Sequence, residues 1–289
     1  MFHSGEQSIQ SRIGVRDTAD KIGRSIRREM PPVAQEFLQD QNLVIIGSKD
    51  KTQRMWATAF AGDTGFAMAK NPRTILIRAT APLTDPVYQN AKEETLIGMI
   101  ATDFMTHRRM RANGTGCMTQ DGLEIICAEV YSNCGRYIQT RKPHFCTVHS
   151  KPNNPSITKS LTHSQETWIE NADTFFIATS HPVAGADVSH KGGSPGFVHA
   201  TSETELQFLD YAGNSLFNSL GNIIVNPYVG LLFLDFTSGH TLQISGKAQV
   251  LFSETNERTV KVAIEEIVET LNAVPLSYDF IAYAPTNPK

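Results

Sequence analysis

The sequence has no excess of either charge: 26 Lys and Arg stand against 29 Asp and Glu, a formal net charge of -3 over 289 residues. Such a balance exerts no bulk pull toward nucleic acid or an anionic membrane surface, so neither partner is expected. Cysteine is sparse, at Cys117, Cys127, Cys134 and Cys146, and none forms a CxxC pair. Thiolate zinc and iron-sulfur sites are therefore poorly supported, and free thiols are expected rather than two disulfides. No apolar run reaches bilayer-crossing length. The start, MFHSGEQSIQSRIGVRDTAD, lacks the apolar stretch of a secretory signal and carries acids that count against a transit peptide. A soluble, cytoplasmic protein is the expectation. HExxH, GxSxG and the strand-loop-helix glycine signature of dinucleotide-binding domains are also absent.

What is present is a globular composition, 40% apolar and 19% charged, and a faint repeat at an offset of about 131 to 132 residues. WIENADTFFIAT (Trp168–Thr179) echoes FLQDQNLVIIGS (Phe37–Ser48), and GFVH from Gly196 echoes GFAM from Gly65. GLLFLDF (Gly230–Phe236) echoes GMIATDF (Gly98–Phe104), and HTLQISG ending at Gly246 echoes RRMRANG ending at Gly114. Several matches in one order at one spacing indicate duplication of a β-rich unit. Period-two alternation and short apolar runs, punctuated by Gly, Asn, Asp and Pro, make strands dominant in each half.

Helices are expected at ADKIGRSIRREM, bracing the first lobe, and at PPVAQEFLQDQ, with proline at its start. A third is expected at ERTVKVAIEEIVETL, where Val260, Ala263, Ile264, Ile267, Val268 and Leu271 fall on one helical face. The polar, aperiodic stretch from residue 142 to 165 is the natural join. The expected organisation is an N-terminal extension over residues 1–30, a diverged first lobe over 31–154 and a second lobe over 155–289. Equivalent sheet surfaces would meet in a long groove, a common place for a cofactor.

The halves differ where chemistry would occur. Phe60 in the first corresponds to Lys191 in the second, next to paired glycines suited to an anion and a close backbone. DYAGNSLFNSLGNIIVNPYVG places Tyr211, Asn214, Asn218, Ser219 and Asn222 on a turn and a helix start, a phosphate cradle or a set of caps and turns. APLTDPVYQNAKEETLIG in the first half has no such cluster, so one ligand per chain is expected. Arg108, Arg109 and Arg111 alternate on a strand and either receive a substrate anion or pair with acids such as Asp103 or Glu129. Cys134, beside Arg136 and Arg141, is either an activated thiolate or a small inert core residue. Trp168 is assigned to core packing; Trp56 is left open between stacking on a planar ligand and packing.

The chain resembles the pyridoxamine 5'-phosphate oxidase-like, FMN-binding split-barrel family, and within it a tandem branch. FHSGE...Q, DVSHKGGSPGF, DYAGNSLFNSLGN, GLLFLDF and NCGRYIQTR carry the likeness, in order, over roughly residues 2 to 284. The fold it implies is mostly β with peripheral helices, two tandem split β-barrels forming an intramolecular pseudo-dimer. The resemblance implies FMN as cofactor, with Ser189, His190, Lys191 and Gly192 lining the flavin and Tyr211 on the next strand. Asn214, Asn218 and Ser219 would fall at the phosphate, Thr241 near the ring, and Tyr137 and Arg141 would reach across from the opposite lobe. Arg136 stands where the branch commonly has lysine, and with Arg109 it is the expected substrate contact; His190, whose side-chain type titrates near neutrality, is either the proton donor or packing beside the phosphate with no catalytic role. The tail AVPLSYDFIAYAPTNPK keeps Pro275, Leu276 and Tyr278 but has neither arginine nor histidine, which argues against vitamin B6 oxidation itself.

Three function classes follow from this resemblance. The first is an FMN-dependent oxidoreductase acting on a small conjugated molecule, with electrons from a nicotinamide or a separate reductase. The second is a non-catalytic flavin-binding or sensing protein. The third is a haem-binding split barrel using His181, His190 or His199 as axial ligand. A single chain can close its own groove, and a homodimer is left open.

Overall fold

The computed structural model describes residues 2–78, 82–145 and 152–288. The first half runs α1 (Ser4–Ile13), α2 (Arg16–Gly23), α3 (Pro32–Gln39), β1 (Leu43–Lys49), β2 (Met55–Ala61), β3 (Ala67–Asn71), β4 (Thr74–Ile77) and α4 (Pro86–Asn90), then β5 (Thr95–Asp103), β6 (Arg108–Thr119), β7 (Gly122–Asn133) and β8 (Thr140–Phe145). The second half runs β9 (Ser156–Thr158), α5 (His163–Asn171), β10 (Thr174–His181), β11 (Gly185–Gly192), β12 (Val198–Ser202), β13 (Glu205–Leu209) and α6 (Asn218–Val225), then β14 (Tyr228–Leu234), β15 (Thr241–Phe252), β16 (Arg258–Thr270) and β17 (Leu276–Ala282).

The repeat reappears in the topology. One sheet has the order β2-β1-β5-β6-β7-β4-β3 and the other β11-β10-β14-β15-β16-β13-β12, so the strands along the two paths match place for place, and β9 is added beside β16 in the second. Both sheets carry a β-bulge at the same point, between Asn113 and Gly114 on β6 and between Ser245 and Gly246 on β15. A Cβ on Gly114 would collide with the Ile126 carbonyl, and one on Gly246 with the Ala263 carbonyl. The matching glycines are thus required by close backbone approach. Turns match as well: Asp103 accepts from the Met105 and Thr106 amides, and Asp235 from those of Thr237 and Ser238.

Each sheet has its own apolar core, with Trp56, Phe60 and Met99 in the first and Phe175, Phe208 and Phe233 in the second. A third cluster lies between the sheets and joins Ile45, Met55 and Ile100 to Phe176, Val188 and Leu232. The packing there is reciprocal. A Cβ on Gly98 would stand 2.7 Å from the Asp187 backbone, and one on Gly230 would stand 2.6 Å from Cα of Trp56. Gly98 and Gly230 are repeat equivalents, as are Trp56 and Asp187, so the two halves make the same contact in exchange, as in an isologous interface.

Two expectations fail. ERTVKVAIEEIVETL is strand β16, not a helix. Val260, Val262 and Ile264 alternate into the core, Ala263 is exposed, and the bulge lets Ile267 re-enter on the buried side. Its apolar positions suit either period over a short window, and the β-branched residues pair along twelve-residue β15. The helix expected at ADKIGRSIRREM stops at Gly23, and Arg27 instead bridges to Val130 of β7. The preceding helix α1 packs on the second half: Ile9 joins its core, and Gln10 donates to the Leu216 carbonyl. The join contains structure too, since β8 pairs with β17 and β9 with β16. Cys146 lies outside the described residues; Cys117, Cys127 and Cys134 are free thiols. No helix among the described residues is long and apolar enough to cross a membrane.

Candidate functional site

A cleft of about 100 Å³ opens where β11 and α6 of the second half face β6 and the 134–137 loop of the first. It is bordered by Ser189, His190, Lys191, Gly192, Tyr211, Asn214, Asn218 and Ser219 from one side and by Arg109, Arg136 and Tyr137 from the other. Eleven positions expected from sequence therefore converge. Arg111 and Cys134 also border it. The end of β11 contributes four successive residues, and the β13–α6 connection supplies most of the rest.

The centre is Arg111. Its Nη2 donates to Ser189 Oγ at 2.5 Å, while Nη1 reaches Asp187 Oδ2 at 3.1 Å, Asn218 Oδ1 at 3.3 Å and the Tyr131 hydroxyl at 3.3 Å. Burial is the largest influence and works against its charge, but Asp187 and Tyr131 together outweigh it and hold the guanidinium above its usual range. Ser189 Oγ lies 2.5 Å from Ser219 Oγ in the first turn of α6. That helix begins at Phe217, in a left-handed conformation with φ 61°, and no side chain caps it. Its first N-H groups and partial positive end thus lie beside the serine pair without a side-chain cap, a donor set suited to an anion.

His190 is 6% exposed, and Arg109 Nη1 lies 3.1 Å from its Nδ1. Because a guanidinium only donates, Nδ1 must accept and the neutral ring carries its proton on Nε2. Among the described residues, His190 Nε2 and Arg109 Nε are buried without a partner. Burial, then the charges of Arg109, Arg141 and Lys191, hold His190 well below the usual histidine range. Burial and the neighbouring Arg111 lower Arg109 to about 10, so it stays charged near neutrality. An imidazolium proton donor, as expected from the sequence, does not fit; a neutral N-H donor does.

Other side chains are more constrained than their types suggested. Lys191 pairs with Asp210 at 2.5 Å, and Asp210 also holds Arg258 at 2.9 Å. Lys191 is therefore anchored by a carboxylate that it shares with Arg258, and the trio keeps a net positive charge. Asn214 accepts from the Leu216 amide as a turn, and Asn222 bridges Thr179 and His3. Asn218 borders the cleft with its Oδ1 accepting from Arg111 and its Nδ2 donating to Glu6. Tyr137, at φ 63°, donates through its hydroxyl to the Ala212 carbonyl at 2.9 Å, and its ring lies 5.3 Å from that of Tyr211. Both rings border the cleft.

Against known proteins, no family model matches the chain and no curated protein matches it. Solved structures do. A candidate pyridoxamine 5'-phosphate oxidase from Lactobacillus delbrueckii is 21% identical over 38% of this chain and 94% of its own, with a TM-score of 0.32. An FAD-binding protein from Mesorhizobium loti is 12% identical over 40% of this chain and 96% of its own, with a TM-score of 0.28. A NimC/NimA family protein from Clostridium acetobutylicum is 13% identical over 37% and 90%, with a TM-score of 0.29.

Two expected positions lie elsewhere. Arg141 does not border the cleft: it is buried in an ion pair with Asp173, with the Phe236 ring 4.2 Å away. Thr241 is buried on β15 between Leu234 and Thr270. It is the repeat equivalent of Arg109, so it belongs to the opposite junction of the halves. There Gln243, the equivalent of Arg111, donates to the Ala57 carbonyl and, at 2.7 Å, to Thr58 Oγ1, the equivalent of Ser189. Asp85 accepts from Thr58 and caps α4 through the Val87 and Tyr88 amides. Trp56 is 1% exposed in the first core with its indole N-H on Asp50, so it stacks on no ligand. Of the histidines weighed as axial ligands, His181 stacks on His3 at 4.1 Å and His199 is exposed.

Sequence reasoning offered Asp103 or Glu129 as partners for the arginines, whereas Arg111 takes Asp187 from the other half. The available signal was an acid, Asp187, at the repeat equivalent of the apolar Trp56.

Proposed function

We propose that the chain is a tandem split-barrel flavoprotein, an intramolecular pseudo-dimer that holds one FMN in the Arg111 cleft and serves as an oxidoreductase toward a small conjugated molecule. One observation carries this reading: an uncapped helix start, a buried arginine and two serine hydroxyls converge on one point between the halves. Such a point offers charge-assisted and backbone donors to a phosphate. Arg111, Ser189, Ser219 and the α6 amides would hold the phosphate. His190, Gly192 and Tyr211 would border the rest from one half, and Arg109, Arg136 and Tyr137 from the other.

The donor set fits the phosphate end, and the unpartnered Nε2 of His190 is available to an acceptor beside it. The ring needs more room than about 100 Å³, so the Tyr137–Tyr211 pair would part on binding. When bound, flavin supplies hydride and one-electron chemistry. The chain's residues then orient and desolvate: Arg109 keeps His190 neutral and its Nε2 proton in place, while Arg136 offers charge to an anionic substrate group at the mouth. A nicotinamide or a separate reductase would supply electrons. Vitamin B6 oxidation is not the proposed reaction.

The test is the absorption spectrum of gently purified protein with mass analysis of the ligand released by heat. Flavin bands and an FMN mass are expected. A Soret band would favour a haem protein instead, and a colourless protein that does not take up added FMN would overturn the reading. Flavin without turnover across donors and acceptors would leave a sensing role.

A further inference from the structure

A second cavity, of about 280 Å³, lies beside the cleft under α1 and α2, and Asn218 borders both. Glu6 from α1, Glu129 from β7 and Asp187 from β11 all face it. The positive groups nearby are the chain's amino terminus, whose charge acts to lower Glu129, and three arginines. Arg111 pairs with Asp187 from the cleft side, Arg16 is tied to Asp20 at 3.3 Å, and Arg24 stands exposed at the rim. His3 is kept neutral by burial and by His181, with its pKa lowered to about 4. Three carboxylates thus share one buried cation. Burial, with Asp187 and Glu129 adding repulsion, pushes Glu6 up to about 7; burial and Asp187 push Glu129 upward too.

Asn113 supplies an independent sign of a ligand. It is 6% exposed and lines the cavity, and its Nδ2 turns toward Glu129 and Asp187, at 3.4 Å from each. Its Oδ1 is buried with no partner. A buried acceptor left open beside carboxylates costs free energy unless something donates to it. Among the described residues, no group of His, Cys, Asp and Glu is placed to hold a metal ion. A ligand that satisfied the open acceptor and the carboxylates together would carry several N-H donors spread over its own frame rather than act as a point charge.

We propose that this cavity binds a small organic cation, through an ammonium or guanidinium group that donates to Glu129, Asp187 and the open Oδ1 of Asn113. The inference does not rest on FMN, because the groups that would hold the cation are not the phosphate donors. Titration calorimetry of the full chain with putrescine tests it, using 1,4-butanediol as the uncharged control. One putrescine per chain and no butanediol heat are expected. Glu129→Gln should weaken putrescine about tenfold, and Asn113→Asp, which adds an acceptor charge, should strengthen it several-fold. Absence of putrescine heat, equal binding of the diol, or folded variants that bind as the unaltered chain does would each overturn it. If Glu129→Gln does not fold, Asn113→Asp decides alone: affinity equal to or below that of the unaltered chain overturns the proposal.

Discussion

Arg111 and Gln243 occupy one place in two copies of the same sheet, and the junctions around them have taken opposite courses. At the Arg111 junction the partner is Ser189, the adjoining helix has eight residues and an uncapped start, and a cleft remains. At the Gln243 junction the partner is Thr58, the helix has five residues, and Asp85 caps it while also accepting from Thr58 and Gln243. A neutral amide, a hydroxyl and one carboxylate satisfy one another there, which closes the space. The lesson is that one framework builds either an anion site or a filled polar core, depending on whether the helix start finds its acceptor within the chain.

The largest effect expected from breaking this contrast is at Arg111. Arg111→Gln gives the open junction the closed junction's residue and strands Asp187 in the interior. A loss of about 3–5 kcal/mol in denaturant unfolding is expected, together with loss of FMN binding in a fluorescence titration. Adding Asp187→Asn should recover much of the stability and none of the FMN binding. Recovery of both would mean that Arg111 matters only as a partner for Asp187.

Asp85→Ala comes next. It removes a helix cap and the acceptor for Thr58 and Gln243, so about 2 kcal/mol should be lost in thermal unfolding with FMN occupancy unchanged. The same carboxyl makes a pH prediction. Burial raises Asp85 to about 6. Between its unfolded value near 4 and that folded value, the folded state binds more protons, so this group's stabilisation is present at low pH and is lost as pH rises through about 6. Unfolding curves of the unaltered chain and Asp85→Asn at pH 4.5 and 7.5 should show the unaltered chain gaining, relative to the variant, on the order of 2 kcal/mol at the lower pH. No relative gain would place the charge elsewhere.

The smallest effect is at the mouth. Tyr137→Phe removes the hydroxyl bond to the Ala212 carbonyl and should speed FMN association several-fold in stopped flow, while stability changes by under about 1 kcal/mol. An unchanged rate would mean that the tyrosine pair does not gate entry.

Much of this contrast is legible in the order of residues alone. The repeat offset sets β1 against β10 and Gly98 against Gly230, because duplicated sheets need small residues and bulges at the same points. The cleft residues on β11 and α6 are legible because polar groups among apolar strands and paired glycines lack a packing explanation. Three things are not. β16 reads as a helix, since pairing with β15 and not local period decides its state. Thr241 reads as part of the wrong junction, because a strand that leaves one half to serve the other leaves no mark in sequence order. Arg141 and Lys191 read as free charges, whereas Asp173 and Asp210 pair with them across distances in the chain that spacing cannot reveal.

The stoichiometry of FMN binding to the full chain tests the account most directly, by equilibrium titration with chain concentration fixed from amino-acid analysis. One FMN per chain, abolished by Arg111→Gln and retained at one in Gln243→Arg, is the predicted result. Two FMN per chain, or none, would contradict the claim that a single junction of the pair has been kept open for the flavin.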